Sequence, residues 1–230
     1  MIFEKNIYDA VFISRPNRFN AKVLLNGEEV VVHVPNTGRC KEILIEGSKV
    51  LLREENNPNR KTRYDLIAAY KGDILINIDS QIPNKVVNEA LLNKKIKKLE
   101  KFNLINREKT FGKSRFDFML STDNDEKYYL EVKGVTLEED GECKFPDAPT
   151  ERGAKHILEL IEAKKLGYGA GILFLIQLDN VKSFSPNDLT DPNFSNALRL
   201  AYENSVDIMV YNCRVGRNYI ELKEEVDIIL

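Results

Sequence analysis

The chain has 230 residues, of which 43% are hydrophobic and 30% charged, with 34 Lys plus Arg against 36 Asp plus Glu and a formal net charge of -2. That balance excludes a disordered chain, and the length leaves room for two domains that each bury a core. No apolar run follows Met1 as a signal peptide would, and none reaches the roughly 18 residues that span a bilayer, so a cytoplasmic protein is expected. Near-neutral charge gives no global attraction for a polyanion; any nucleic acid must meet a local basic patch.

The first eighty residues predict short strands over Tyr8–Ser14, Arg18–Leu25, Glu28–Val34, Lys49–Arg53, Arg63–Tyr70 and Asp73–Ile78. Asn26-Gly27 makes a hairpin turn between the second and third, because both residue types accept positive φ. Six short strands in that span imply a small barrel. The pattern then changes to helical spacing over Asn84–Lys101, with Val86, Val87, Ala90, Leu91 and Leu99 on one face. Strands follow near Leu104–Thr110, Ser114–Ser121, Lys127–Gly134 and Val135–Glu138. A helix over Thr150–Leu166 comes next, with Thr150 as N-cap and Gly167 as stop. Ala170–Leu178 is apolar enough for a central buried strand, Pro192–Asn204 reads as a helix and Val206–Cys213 as a strand. The reading is an α/β (α+β) chain: a barrel domain over residues 1–82, then a mixed sheet flanked by helices over 83–230. Cys40, Cys143 and Cys213 are too scattered for a disulfide framework or a zinc motif, and are read as reduced thiols.

Arg115-Phe116-Asp117-Phe118-Met119-Leu120 and Tyr129-Leu130-Glu131-Val132-Lys133 carry the most chemistry. Alternation puts Phe116, Phe118 and Leu120 on one face and Asp117 on the other; Leu130 and Val132 likewise oppose Glu131 and Lys133. If Ser121 faces Lys127 across the turn, Asp117 stands opposite Glu131, with Cβ atoms roughly 4.5 to 5.5 Å apart. Two ionised carboxylates that close repel, and a divalent cation relieves the repulsion while using both as ligands. Lys133, on the same face, could stabilise charge developing on a phosphate, so the set describes phosphodiester hydrolysis. The same triplet also fits a solvated hairpin face with cross-strand ion pairs, and a slip of one residue would separate the carboxylates.

Glu89 on the first helix is a candidate third carboxylate, or a surface charge. Arg152, Lys155 and Glu159 recur at helical spacing opposite Ile157, Leu158 and Ile161, a polar face able to hold phosphates. His156, at its edge, reads as a polar surface residue rather than a general base. On the barrel, Arg15, Asn17, Arg18 and Phe19 offer the cations and aromatic of a single-strand platform, although alternation favours Phe19 in the core. Asn36-Thr37-Gly38 reads as a tight turn.

Five blocks together resemble the sugar fermentation stimulation protein A family over the whole chain: Arg15-Pro16-Asn17-Arg18-Phe19; Val34-Pro35-Asn36-Thr37-Gly38-Arg39; Ser114-Arg115-Phe116-Asp117-Phe118; Glu131 to Leu137; and Phe145 to His156. The resemblance implies an OB-like barrel joined to a PD-(D/E)xK nuclease-like domain. Asp117 stands at that motif's aspartate, and Glu131-Val132-Lys133 at its (D/E)xK element. Glu89 is a candidate for the helical acidic residue of such folds. Phe116 replaces the proline of the motif's name, which removes no ligand.

The expectation is therefore a nuclease acting on DNA or RNA. Asp117, Glu131 and the candidate Glu89 would hold Mg2+ or Mn2+; Asp117, Glu131 and Lys133 would be catalytic; Arg15, Asn17, Arg18, Arg152 and Lys155 would contact nucleic acid. The alternative is a non-catalytic DNA-binding regulator of sugar metabolism genes. An enzyme of sugar metabolism is disfavoured, because no Gly-rich loop joins a strand to a helix as a phosphate cradle requires.

Overall fold

The computed structural model describes all 230 residues. The first unit is built from β1 (Ile7–Ser14), β2 (Asn20–Leu25), β3 (Glu28–His33), β4 (Lys49–Glu54), β5 (Tyr64–Lys71) and β6 (Ile74–Asn77). They hydrogen-bond in the order β3-β2-β1-β4-β5-β6, and a parallel contact of His33 with Asp65 joins β3 to β5 and closes the barrel. Asn26 and Gly27 both adopt positive φ (52° and 87°), as the β2–β3 hairpin requires. Ala21, Val23, Val32, Val50, Leu52 and Leu66 fill the interior.

After four residues the chain enters α1 (Ile82–Leu92), with Pro83 in its first turn, where a missing N–H costs nothing. The helix is shorter than its periodicity predicts: Asn93 caps it and Lys94 turns left-handed (φ 56°), while Ile96 and Leu99 stay buried through a separate 3-10 turn over Lys97–Leu99. The apolar spacing is real, but two segments share it.

The second unit contains β7 (Leu104–Phe111), β8 (Ser114–Ser121), β9 (Lys127–Val135), β10 (Leu137–Glu139), β11 (Glu142–Phe145), α2 (Glu151–Lys165), β12 (Gly169–Ile176), β13 (Ser183–Pro186), α3 (Pro192–Glu203), β14 (Asp207–Gly216), β15 (Tyr219–Glu225) and β16 (Asp227–Ile228). The main sheet has the order β15-β14-β12-β9-β8-β7, and β12 lies parallel to both β9 and β14, the central position its continuous apolar run predicts. A small sheet, β10-β11-β13-β16, flanks it. Thr150 caps α2 by accepting from Gly153 N at 3.1 Å, and Gly167 ends that region at φ 86°. α1 covers one face of the main sheet through Val86, Val87, Ala90 and Leu91 against Phe118, Leu130 and Val132; Ile157, Leu160 and Ile161 of α2 pack on the other. Removing water from each of these side chains larger than alanine contributes about 1.5 to 3 kcal/mol.

The units share one interior. Gln177, 2% exposed, donates through Nε2 to the Asn77 carbonyl and Asn77 Oδ1 (both 2.9 Å) and to the Asp79 carbonyl (3.3 Å). The N-terminal arm also returns to the second unit: Ile2 bridges Tyr219, and Phe3 N donates to the Asn218 carbonyl. All three cysteines are free and buried.

Candidate metal centre and nucleic-acid interface

The β8–β9 ladder pairs Ser121 with Lys127, Leu120 with Tyr128, Met119 with Tyr129 and Phe118 with Leu130, so its continuation sets Asp117 against Glu131. The ladder stops one step short of that pair. Beyond Phe118, β8 stays bonded to β7 and β9 stays bonded to β12, and the two strands fork. Asp117 stands in the fork, where its Oδ2 accepts from Val132 N at 2.8 Å and so satisfies a backbone donor that the ladder leaves unpaired. Its Oδ1 accepts from Asn84 Nδ2 at 2.7 Å, from the first turn of α1.

The fork corrects the expected alternation of β8. Phe118 and Leu120 pack with Leu130 and Val132 under α1, but Phe116 packs on the other side, with Phe111, Tyr129 and His156. β7 keeps one register along β8, Arg107 with Phe118 and Lys109 with Phe116, and Glu108, at φ 53°, stands unbonded opposite Asp117 between them.

Glu131 is 3% exposed. Its Oε1 accepts from Lys133 Nζ at 2.5 Å and lies 2.6 Å from His156 Nδ1. Arg152 Nε donates to His156 Nε2 at 3.4 Å, so Nδ1 carries the proton and donates to Glu131. Burial pushes the Glu131 carboxyl up, but His156 and Lys133 outweigh it and hold the group below its usual range. Asp117 moves the other way: burial first, then the Glu131 charge, raise it above the usual carboxylate range despite Val132 N and Asn84. Glu131 Oε2 is buried and has no hydrogen-bond partner. A buried anionic oxygen without a donor is costly, and a cation meets that cost. Two carboxylates and no sulfur are the donors that hard divalent ions take, so Asp117 and Glu131 suit a hard divalent cation.

Glu89 is not part of this group. Its carboxylate pairs with the Met1 ammonium at 2.9 Å. Five residues beyond Asn84 it is turned by about 140° and displaced by about 7.5 Å along α1, away from Asp117. The helical residue at the carboxylates is Asn84. His156 also corrects its expected surface position: it is 5% exposed, whereas Leu158 is 47% exposed. The signal for it was the spacing Gly153, His156, Leu160, Ala163, which makes the inward stripe of α2.

The predicted nucleic-acid contacts divide. Arg15 donates to the carbonyls of Arg18, Asn36, Gly38 and Arg39 at 2.6 to 2.8 Å, so its guanidinium staples the loop rather than facing a ligand. Asn17 Oδ1 accepts from Phe19 N and Asn20 N and shapes the turn. Arg18 is exposed, with its guanidinium 4.8 Å from the Phe19 ring. Phe19 is 46% exposed, not in the barrel core, because it precedes β2 and escapes that strand's alternation. Gly38 of the turn Asn36-Thr37-Gly38 approaches Asp147 so closely that a Cβ there would lie 2.6 Å from its Oδ2. Arg152 and Lys155 are both exposed on α2; Lys155 Nζ is 3.9 Å from Glu159.

Residues 13–78 match the SfsA N-terminal OB domain, and residues 81–219 match the sugar fermentation stimulation protein RE domain. The chain belongs to the SfsA family. A sugar fermentation stimulation protein homolog of Clostridium perfringens (strain SM101 / Type A) is 69% identical over 230 residues, covering all of both chains. One of Clostridium novyi (strain NT) is 67% identical over 98% of each. The solved structure of Pyrococcus furiosus SfsA in complex with Ca2+ superposes with a TM-score of 0.90 at 27% identity, over the full length of both chains. The fold is thus the family's, an OB-like barrel followed by a restriction-endonuclease-like sheet. No helix is long and apolar enough to cross a membrane.

Proposed function

We propose that this SfsA-family chain is a divalent-cation-dependent nuclease that hydrolyses phosphodiester bonds in DNA or RNA. One observation carries the reading: Glu131 Oε2 is buried without a donor in the same fork that holds Asp117. The Ca2+ bound by the Pyrococcus furiosus relative supports a divalent ion here. Asp117 and Glu131 hold the cation, which when bound polarises a phosphoryl oxygen and makes water more acidic. Asn84 and Val132 N fix the Asp117 carboxylate; His156, backed by Arg152, fixes Glu131. The Lys133 ammonium balances Glu131 and stabilises charge growing on the phosphate as water oxygen bonds to phosphorus and the leaving oxygen departs. Arg18, Arg152 and Lys155 are exposed cations for the substrate backbone.

The test incubates the protein with Mg2+ or Mn2+ and single-stranded, duplex and branched DNA and RNA, beside Asp117→Asn, Glu131→Gln and Lys133→Ala. Loss of a group acting on the transition state lowers the rate by about 100- to 1,000-fold. Undiminished cleavage by the variants refutes the site. The family's description as sugar fermentation stimulation proteins favours a second reading, a DNA-binding regulator that cleaves nothing. Binding without cleavage on every substrate selects it.

A further inference from the structure

A cleft of about 720 Å³ lies where the N-terminal arm, the barrel and the first turn of α1 meet. Its floor is a closed charge network. Arg53 donates to Glu55, Asp79 and Asp65 at 2.7 to 3.1 Å, Arg60 pairs with Asp65, and His33 Nδ1 lies 2.9 Å from Asp65. These groups are committed to one another, and Lys5 is tied to Glu55. Lys61 and Lys85 are not: both line the cleft, both are exposed, and neither has an ion-pair partner. Lys85 directly follows Asn84, whose side chain holds Asp117.

Two smaller depressions continue it along the domain junction. Pro35 and Gln81 line the large cleft; the adjacent Asn36 and Ser80 line a second depression of about 190 Å³, which also takes in Gly134, next to Lys133. Thr37 and Gly38 are shared between that depression and a third, of about 370 Å³, lined by Arg18, Arg39 and Lys41. These three cations are also exposed and form no ion pair. Five unpaired cations therefore line these depressions, against two unpaired carboxylates, Glu4 and Asp147, in a chain of net charge -2. The pattern suits a ligand of repeating anions. Phe19, exposed beside Arg18, adds a ring face on which an unpaired base can stack, which a duplex with its bases stacked inside does not use.

We propose that these depressions form a trough that carries a single strand of nucleic acid. Its phosphates lie against Lys61 and Lys85 at one end and Arg18, Arg39 and Lys41 at the other, and a base stacks on Phe19. This rests on the nuclease reading and names single-stranded nucleic acid as the substrate of that site.

The test measures fluorescence anisotropy of a labelled single-stranded oligonucleotide, and of its duplex, with the whole chain in EDTA across a salt series. The single strand binds more tightly than the duplex. Lys61→Glu/Lys85→Glu and Arg39→Glu/Lys41→Glu each weaken it at least about tenfold at low salt and flatten the salt slope by about 0.7 for every phosphate left without its cation. The milder Lys61→Gln/Lys85→Gln weakens it less, and Lys165→Glu, at the far end of α2, leaves it unchanged. Melting temperatures confirm that each variant folds. Tighter duplex binding, or unaltered binding by Lys61→Glu/Lys85→Glu in a protein that still cleaves through Asp117 and Glu131, overturns the trough alone. A parent chain that neither binds nor cleaves any nucleic acid overturns the nuclease reading and the trough with it.

Discussion

Glu131 meets three demands with one carboxylate: Oε1 answers Lys133 and His156, Oε2 answers nothing within the chain, and the whole group is buried. Single residues around it decide how well it can hold a cation. His156 is the most telling, because it touches the carboxylate without standing in the Asp117–Glu131 pair, and Arg152 sets its tautomer. Partners that orient a metal ligand are worth about 10- to 100-fold in affinity. His156→Ala should therefore weaken Mn2+ binding by that order in calorimetry, while His156→Gln, which can still donate to Glu131, should recover part of it. Equal affinity in all three proteins would mean that His156 only fills space. The Ser121–Lys127 register was legible from the turn count, but the ladder parts one step before Asp117 and Glu131 would pair. Asn84 and His156 were not legible, because they come from helices on opposite faces of the sheet, and local spacing does not say where a helix docks.

At the scale of elements, the site depends on two strands that pair and then part. The sequence suggests a continuous hairpin; the ladder instead ends at Phe118 and Leu130, Phe116 lies on the α2 side, and Val132 N donates to Asp117. The same end of β9 carries Gly134, where a Cβ would lie 2.7 Å from Pro83 Cγ and closer still to Gln177 Oε1. Pro83 is buried in α1 and Gln177 is held by Asn77 and Asp79, so neither can retreat. Gly134→Ala should cost about 1 to 3 kcal/mol, read as a lower melting temperature, because overpacking forces a shift in a close-packed junction. An unchanged melting curve would show that the junction yields. The overlong α1 prediction has the same root as the continuous hairpin: an apolar period persists through a break that only the backbone reveals.

For the whole molecule, barrel and sheet are joined by buried polar contacts. Arg53 of β4 links Asp65 of β5 to Asp79 in the segment that leads into α1. Burial raises the Asp65 carboxyl, but Arg60 and His33 outweigh it and lower it from its ordinary value. A carboxyl lowered on folding contributes stability that is present above its unfolded value, about 3.9, and is lost as pH falls through the lower folded value. Asp65→Asn should cost about 3 to 5 kcal/mol at pH 7, since it strips one partner from a buried ionic network. Urea midpoints of the two proteins should converge below pH 4. A gap that stays constant into acid would refute the ionic origin.

Composition, turn chemistry and alternation determined by themselves that this chain folds as a barrel followed by a mixed sheet, and that Asp117, Glu131 and Lys133 gather on neighbouring strands. Those are consequences of periodicity and short-range geometry, which a chain carries in its order of residues. Tertiary structure alone decided that Glu89 serves the N-terminus, that Arg15 holds a loop, that Phe19 faces solvent and that His156 buttresses Glu131. Each of those outcomes turns on which element packs against which, and a long-range contact leaves no mark on the local pattern of either partner.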